Sequence, residues 1–328
     1  MSKSLYAKLA PWIFAGPAVL SVIVFLYGPI IASAVLSVVD WNLLSTDVSF
    51  VGLDNYKSLF ADADFRLAAW NTLLYCIILV PAQIILPLII AVMIHAVQGS
   101  KLERVYRGAF FLPTILAYSV AGVTWSWLLN PVNGLFNEVL VWFGLPTSMW
   151  HMDPSLALLS VSVVTFWKSF GLNMLLWIAA LANVPQSLRE ASRLDGAGAW
   201  RRFFTIELPL ITPTAFFISV TTVFSVLDDI VGVVDVLTGG GPAGRSSNLL
   251  YFLWQQGLQF FQFGRASAVA MIIIVAVLLV TWAQFRFGEK RVHYQGLQIL
   301  SALRFSVAHS IFFSLCCRSS RCFHCCGW

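Results

Sequence analysis

Apolar residues in this sequence come in stretches about 20 residues long, and that pattern restricts the fold more than any other feature. At 1.5 Å per residue, such a stretch matches a hydrocarbon core of about 30 Å. Charged residues make up only 11% of the chain against 59% hydrophobic, whereas soluble domains carry about 25% charged residues. A chain this poor in charge cannot cover a water-facing surface, which excludes a soluble enzyme, a disordered protein and a secreted disulfide scaffold. An outer-membrane barrel would instead alternate over segments of about ten residues. The pattern predicts an all-α, polytopic membrane protein.

Six transmembrane helices are predicted, at about 11–39, 67–97, 108–129, 155–182, 210–234 and 266–286. Pro17, Gly28 and Pro29 are expected to kink the first. This first stretch is too long for the apolar region of a signal peptide and no small-residue cleavage site follows, so a retained span is expected. Residues 1–10 then form a short N-terminal segment.

Twelve basic residues lie on one set of alternate connections: Lys3, Lys8, Lys101, Arg104, Arg107, Arg189, Arg193, Arg201, Arg202, Arg286, Lys290 and Arg291. The other set holds four: Lys57, Arg66, Arg245 and Arg265. Positive charge is retained inside, so both termini are expected in the cytoplasm. The net charge of +5 thus follows from topology and gives no reason to expect a nucleic-acid partner.

The predicted inner connection 183–213, NVPQSLREASRLDGAGAWRRFFTIELPLITP, has a helical pattern of its own. Val184-Pro185 sets an extended approach, and Ser187 with Glu190 three residues later has the form of a capping box. Leu188, Ala191 and Leu194 fall on one face, followed by the small residues Gly196, Ala197, Gly198 and Ala199. Two readings of the residues stand: an amphipathic helix lying under the bilayer, or a docking surface for a cytoplasmic partner.

Glu190-Ala191-Ser192, three residues, Gly196, nine residues, Ile206, one residue, Leu208-Pro209 resembles the E-A-A-x3-G-x9-I-x-L-P loop of ABC importer permeases. The sequence departs from that pattern only at Ser192, small for small. Asp195-Gly196-Ala197 and Phe203–Pro213 are similar to the carbohydrate-uptake branch, as are 51–56 (VGLDNY) and 237–242 (LTGGGP); the likeness spans roughly 10–295. The spacing from Asp229 through Asp235 to Gly240-Gly241-Pro242, with Arg201–Phe204 and Phe285–Phe287, is similar to that of glycerol-3-phosphate permeases within that branch.

The resemblance implies a type I ABC importer permease domain over 11–295, in a bacterial inner membrane among lipid. It implies as partners a second homologous permease, two ATP-binding cassette ATPase subunits and an extracytoplasmic solute-binding protein. The loop would be a coupling helix seated in the ATPase, with Glu190, Ala191, Ser192, Asp195, Gly196, Ala197, Ile206, Leu208 and Pro209 as its site residues. Gly196 is expected to allow close contact. ATP and Mg would reside on the partner ATPase, with no cofactor on this chain and no catalytic role for it.

The residues agree on that last point, since the sequence contains no Gly-Lys pair and hence no phosphate-binding loop of the G-x-x-x-x-G-K-[ST] kind. Gly239–Gly241 is expected to be a turn. A rival class, a secondary transporter, would need no docking loop.

Charges within spans are expensive and mark function or pairing. Lys168 is expected either to pair with Asp228 or Asp229, or to line a translocation path with Asn173, Thr222, Ser225 and those aspartates. Trp167 and Trp177 are candidates to stack on sugar faces; Gln83 and His95 are weaker candidates. Cys76 is expected to be a small buried hydrophobe. Residues 296–328 fall outside the resemblance and carry the other five cysteines, at Cys316, Cys317, Cys322, Cys325 and Cys326. Their irregular spacing argues against a metal site, and an unselected extension is expected.

Overall fold

The computed structural model describes residues 3–42 and 48–288; the Cys-rich extension 296–328, with Lys290 and Arg291, lies outside them. The first span is one long helical path, α1 (Lys3–Val22), a π-helical turn at Ile23–Tyr27, and α2 (Gly28–Leu36). A two-stranded antiparallel ribbon follows, β1 (Val39–Trp41) against β2 (Val48–Phe50), with Val39 opposite Phe50. The short α3 (Asp54–Ala61) leads to α4 (Ala63–Ala96).

Next come α5 (Lys101–Phe111), a 3₁₀ turn at Leu112–Ile115, and α6 (Tyr118–Leu128). After α7 (Leu135–Trp142), the long α8 (Ala157–Ala182) leads to the connection that carries α9 (Gln186–Leu194) and α10 (Ala199–Arg202). A second π-helical turn, Phe203–Glu207, runs through α11 (Leu208–Leu210) into α12 (Thr212–Leu237). The chain continues as α13 (Leu249–Trp254) and α14 (Phe263–Gly288).

Five described helices are long and apolar enough to cross a membrane, and a sixth crossing exists if the bent pair α5–α6 is taken as one. That pair covers the span expected at 108–129 and bends it: its halves meet at 101°. The cause is local. Pro113 cannot donate a helical hydrogen bond, and Leu116 and Ala117 take extended backbone before α6 begins. Upstream of the bend, α5 carries Lys101, Glu103, Arg104 and Arg107, a composition that suits the membrane surface rather than its core. Its start is a capping arrangement absent from the sequence reading. Ser100 Oγ accepts from the Glu103 N–H, and Glu103 Oε2 accepts from the Gly99 N–H at 2.6 Å.

Apolar burial alone does not hold such helices together, because lipid tails are as apolar as Leu; close packing and hydrogen bonds between helices must do it. Gly171 of α8 shows the closeness. A Cβ there would lie 2.5 Å from the Phe110 carbonyl oxygen, 2.7 Å from the Thr114 hydroxyl and 2.8 Å from Phe111 Cα. Gly232 of α12 similarly leaves room for Tyr118, whose Cβ would be 2.9 Å from an added methyl. Around these crossings Tyr75, Leu79, Val161, Val164, Ile230 and Val234 form one dry cluster, and Ala91, Met174, Trp177 and Ile218 belong to another.

Hydrogen bonds supply the rest. Pro87 inside α4 deprives the Gln83 carbonyl of its helical donor. Asn173 Nδ2 of α8 donates to that oxygen at 3.0 Å and to Thr222 Oγ1 of α12 at 3.2 Å. Trp177 Nε1 donates to the adjacent Ile84 carbonyl at 3.1 Å.

On the other end, Asp62 caps α4 and receives Arg265 from the first turn of α14 at 2.7 Å. Burial acts to raise the Asp62 pKa, but the Arg265 hydrogen bond and the backbone N–H groups of Asp64 and Phe65 outweigh it and hold the carboxyl below its ordinary value. Gly239–Gly241 forms the expected turn after α12, with Gly239 and Gly240 at φ of 60° and 80°. Cys76 is half-buried against the first dry cluster.

Candidate functional site

The connection between α8 and α12 folds into a short exposed helix fixed at both ends. α9 starts one residue before Ser187, directly after Pro185. The expected Ser187–Glu190 capping box therefore does not form; Glu190 instead accepts from Gln186 Nε2 at 2.7 Å. At the other end Gly196 has φ 72°. Its N–H donates to the Arg193 carbonyl at 3.1 Å, while the Ala197 N–H reaches the Ser192 carbonyl at 2.9 Å. This pair of bonds is a Schellman stop, which needs a left-handed residue and hence glycine. Nothing lies within 4 Å of where a Gly196 Cβ would be. Within the chain, then, the glycine serves the turn rather than a close approach.

The motif residues divide into two sets. Glu190, Ala191, Asp195 and Gly196 are exposed, and beside them Leu194 is 90% exposed and Trp200 78%. Ser192 is buried, its hydroxyl donating to the Arg189 carbonyl at 2.8 Å. Ala197, Ile206, Leu208 and Pro209 are half-buried, and Leu208 packs on the second dry cluster. One set faces away from the bundle and the other roots the loop in it.

Charged groups that the sequence reading used only to assign topology make the root. Glu207 is buried and lies 3.1 Å from Arg189 Nε and 3.4 Å from Arg202 Nε. Arg189 also donates to the Leu181 carbonyl at the end of α8, at 2.6 Å, and to His95 Nε2 at the end of α4. A polar cavity of about 650 Å³ opens between α9 and the span ends, lined in part by His95, Gln98, Arg193 and Glu190. Glu207 and the anchoring role of Arg189 were not foreseen. The one sequence sign was a carboxylate at the variable position of I-x-L-P, 18 residues after an arginine.

Within the spans, Lys168 forms no ion pair with Asp228 or Asp229 among the described residues; its Nζ sits 3.6 Å over the Tyr118 ring. The expected direct pairing is thus replaced by a relay. Tyr118 Oη and Ser169 Oγ are 3.0 Å apart, and Ser169 donates to Asp229 at 3.3 Å. Asp228 is exposed and Ser225 half-buried on the same helix. Asn173 and Thr222, expected on the path with them, are buried in the brace at the Pro87 kink. Trp177 is only 1% exposed and has no face to offer a sugar; Trp167 packs edge-on against Trp125.

Residues 66–292 match the family described as the binding-protein-dependent transport system inner membrane component. The chain belongs to this family. It is accordingly an inner-membrane permease subunit of an ABC importer that works with a solute-binding protein, and ATP hydrolysis belongs to a separate subunit.

It is 34% identical over 285 residues to the probable ABC transporter permease protein YurN of Bacillus subtilis, covering 85% of this chain and 96% of that one. It is 31% identical over 289 residues to the sn-glycerol-3-phosphate transport system permease protein UgpA of Agrobacterium fabrum, covering 88% and 97%. Its fold is shared with a chain of a bacterial ABC transporter involved in the import of the acidic polysaccharide alginate, at TM-score 0.77 and 21% identity over 88% of this chain and 99% of that one. The same fold recurs at TM-score 0.78 and 21% identity, over 88% and 98%, in that transporter's complex with an alginate pentasaccharide-bound periplasmic protein.

Proposed function

We propose that this permease pairs with a second, homologous permease above two ATPase subunits, with both termini cytoplasmic, and that α9 is the helix the ATPase grips. The observation that carries the reading is the division of the loop. Glu190, Ala191 and Leu194 stand exposed on a helix whose other side is bolted to the span ends through Arg189. Leu188, Leu194 and Trp200 all stand exposed along this charged loop outside the spans, and a protein partner would cover them. ATP and Mg bind on that partner.

The solute is carbohydrate-like, with sn-glycerol-3-phosphate first among those to test, in line with the substrate named for the UgpA relatives. Lys168, Ser225, Asp228 and Asp229 line its path, where a cation and carboxylates can meet an anionic or hydroxyl-rich molecule, while Asn173 and Thr222 hold the helices that form it.

The assembled transporter, made with its binding protein and placed in lipid vesicles, tests this. Uptake of radiolabelled sn-glycerol-3-phosphate or maltose should require ATP on the ATPase side. Glu190→Lys and Gly196→Asp should each cut ATP-driven uptake by about tenfold or more, a coupling loss above 1.4 kcal/mol, with membrane insertion intact. Wild-type uptake in both variants would overturn the docking role.

A further inference from the structure

We infer that Glu207 is a positioning residue, the joint that makes α9 move as one body with the spans. This rests on the docking role proposed for α9 and adds to it. A helix gripped by an ATPase transmits displacement only if its own attachment does not yield, and α9 has little apolar attachment: Ser192 is its one buried residue among those described.

What fixes it is Glu207, whose side chain is 8% exposed and which is shared by Arg189 of α9 and Arg202 of α10 at 3.1 and 3.4 Å. Arg189 continues the connection to the Leu181 carbonyl of α8 and to His95 of α4. Glu207 itself sits in the π-helical turn that runs through Leu208-Pro209 into α12. Arg189 thus gathers the ends of α4 and α8, and Glu207 ties that arginine to the turn that leads into α12. Glu207 is itself buried, so parting it from its arginines would leave its charge uncompensated, which resists displacement more than an exposed pair would.

The experiment uses the full transporter with spin labels at Ser187 on α9 and Leu172 on α8, both exposed, comparing nucleotide-free and ATP-vanadate-trapped states by pulsed dipolar spectroscopy. With Glu207 intact, the distance between the labels should be the same in both states. With Glu207→Gln it should shift on trapping by about 2 Å, the scale of helix displacements at switching interfaces. The ATPase should still copurify in each case.

The double variant Arg189→Met/Glu207→Leu removes the Arg189–Glu207 pair together, leaving only the more exposed Arg202 without its partner, and should shift in the same way. Failure of the ATPase to copurify with the wild-type chain would remove the docking role and the joint with it. Copurification together with an unchanged distance in either variant, or a shift already present in the wild type, would overturn the joint while leaving the docking role standing.

Discussion

In the middle of the bundle, the buried Asn173 answers a carbonyl that Pro87 has stripped of its donor. At the α9 end, Glu207 is reached by two arginines from elements that are largely exposed. The first arrangement is neutral and insulated, and one side chain joins three spans. The second is ionic and faces a polar cavity. The difference separates two requirements on a permease: the spans must keep their mutual packing in lipid, whereas α9, gripped as proposed, must hold its angle to them while a partner pulls on it.

The sharpest way to break this contrast is at the dry seam. Gly171→Val would force atoms into a space bounded by backbone at 2.5 and 2.8 Å. No folded permease should be recovered from the membrane by detergent extraction and size exclusion.

Asn173→Leu should leave the Gln83 carbonyl unanswered, at a cost of about 1–3 kcal/mol for an unsatisfied buried group. The expected result is a lower melting temperature in detergent, with solute moved per ATP unchanged in what folds. A change in that ratio with normal melting would move Asn173 back onto the path.

Gly196→Ala should cost about 1–2 kcal/mol of local backbone energy at a φ of 72°. Faster amide exchange confined to α9 would register it, with the spans as protected as before.

The smallest effect belongs to the Asp62–Arg265 bridge on the opposite end, which is partly exposed and worth under about 1 kcal/mol. Because the folded Asp62 pKa lies below its ordinary 3.8, its contribution is present above that value and lost as pH falls through the lower folded one. Asp62→Asn should therefore lower the melting temperature slightly at pH 7 and make progressively less difference as the pH falls below 3.8.

Much of this was legible in the residues. Apolar length places α4, α8, α12 and α14 to within a few residues, because a span must match the hydrocarbon thickness whatever it packs against. The motif from Glu190 to Pro209 likewise marks the exposed loop between α8 and α12. Length says nothing of direction, however, so the right-angle break after Pro113 has no counterpart in the apolar pattern. Contacts across the loop were equally hidden: Arg189 and Glu207 meet only because α9 folds back beneath α8, and the same arginine had already been explained as a topological charge. Asn173 looked like a path residue because a polar side chain in a span invites that reading. Its partner was a backbone carbonyl exposed by a proline in another helix, which no pattern along α8 can reveal.

The π-helical turn at Phe203–Glu207 closes with the Leu208 N–H on the Phe203 carbonyl, one residue wider than an ordinary turn. That additional residue clocks everything after it by about 100°. The azimuth at which Asp228 and Asp229 present themselves is thus set some twenty residues earlier, outside the lipid. Deleting one residue from that turn would swivel Asp229 away from Ser169 while leaving the sequence of the span that bears it untouched.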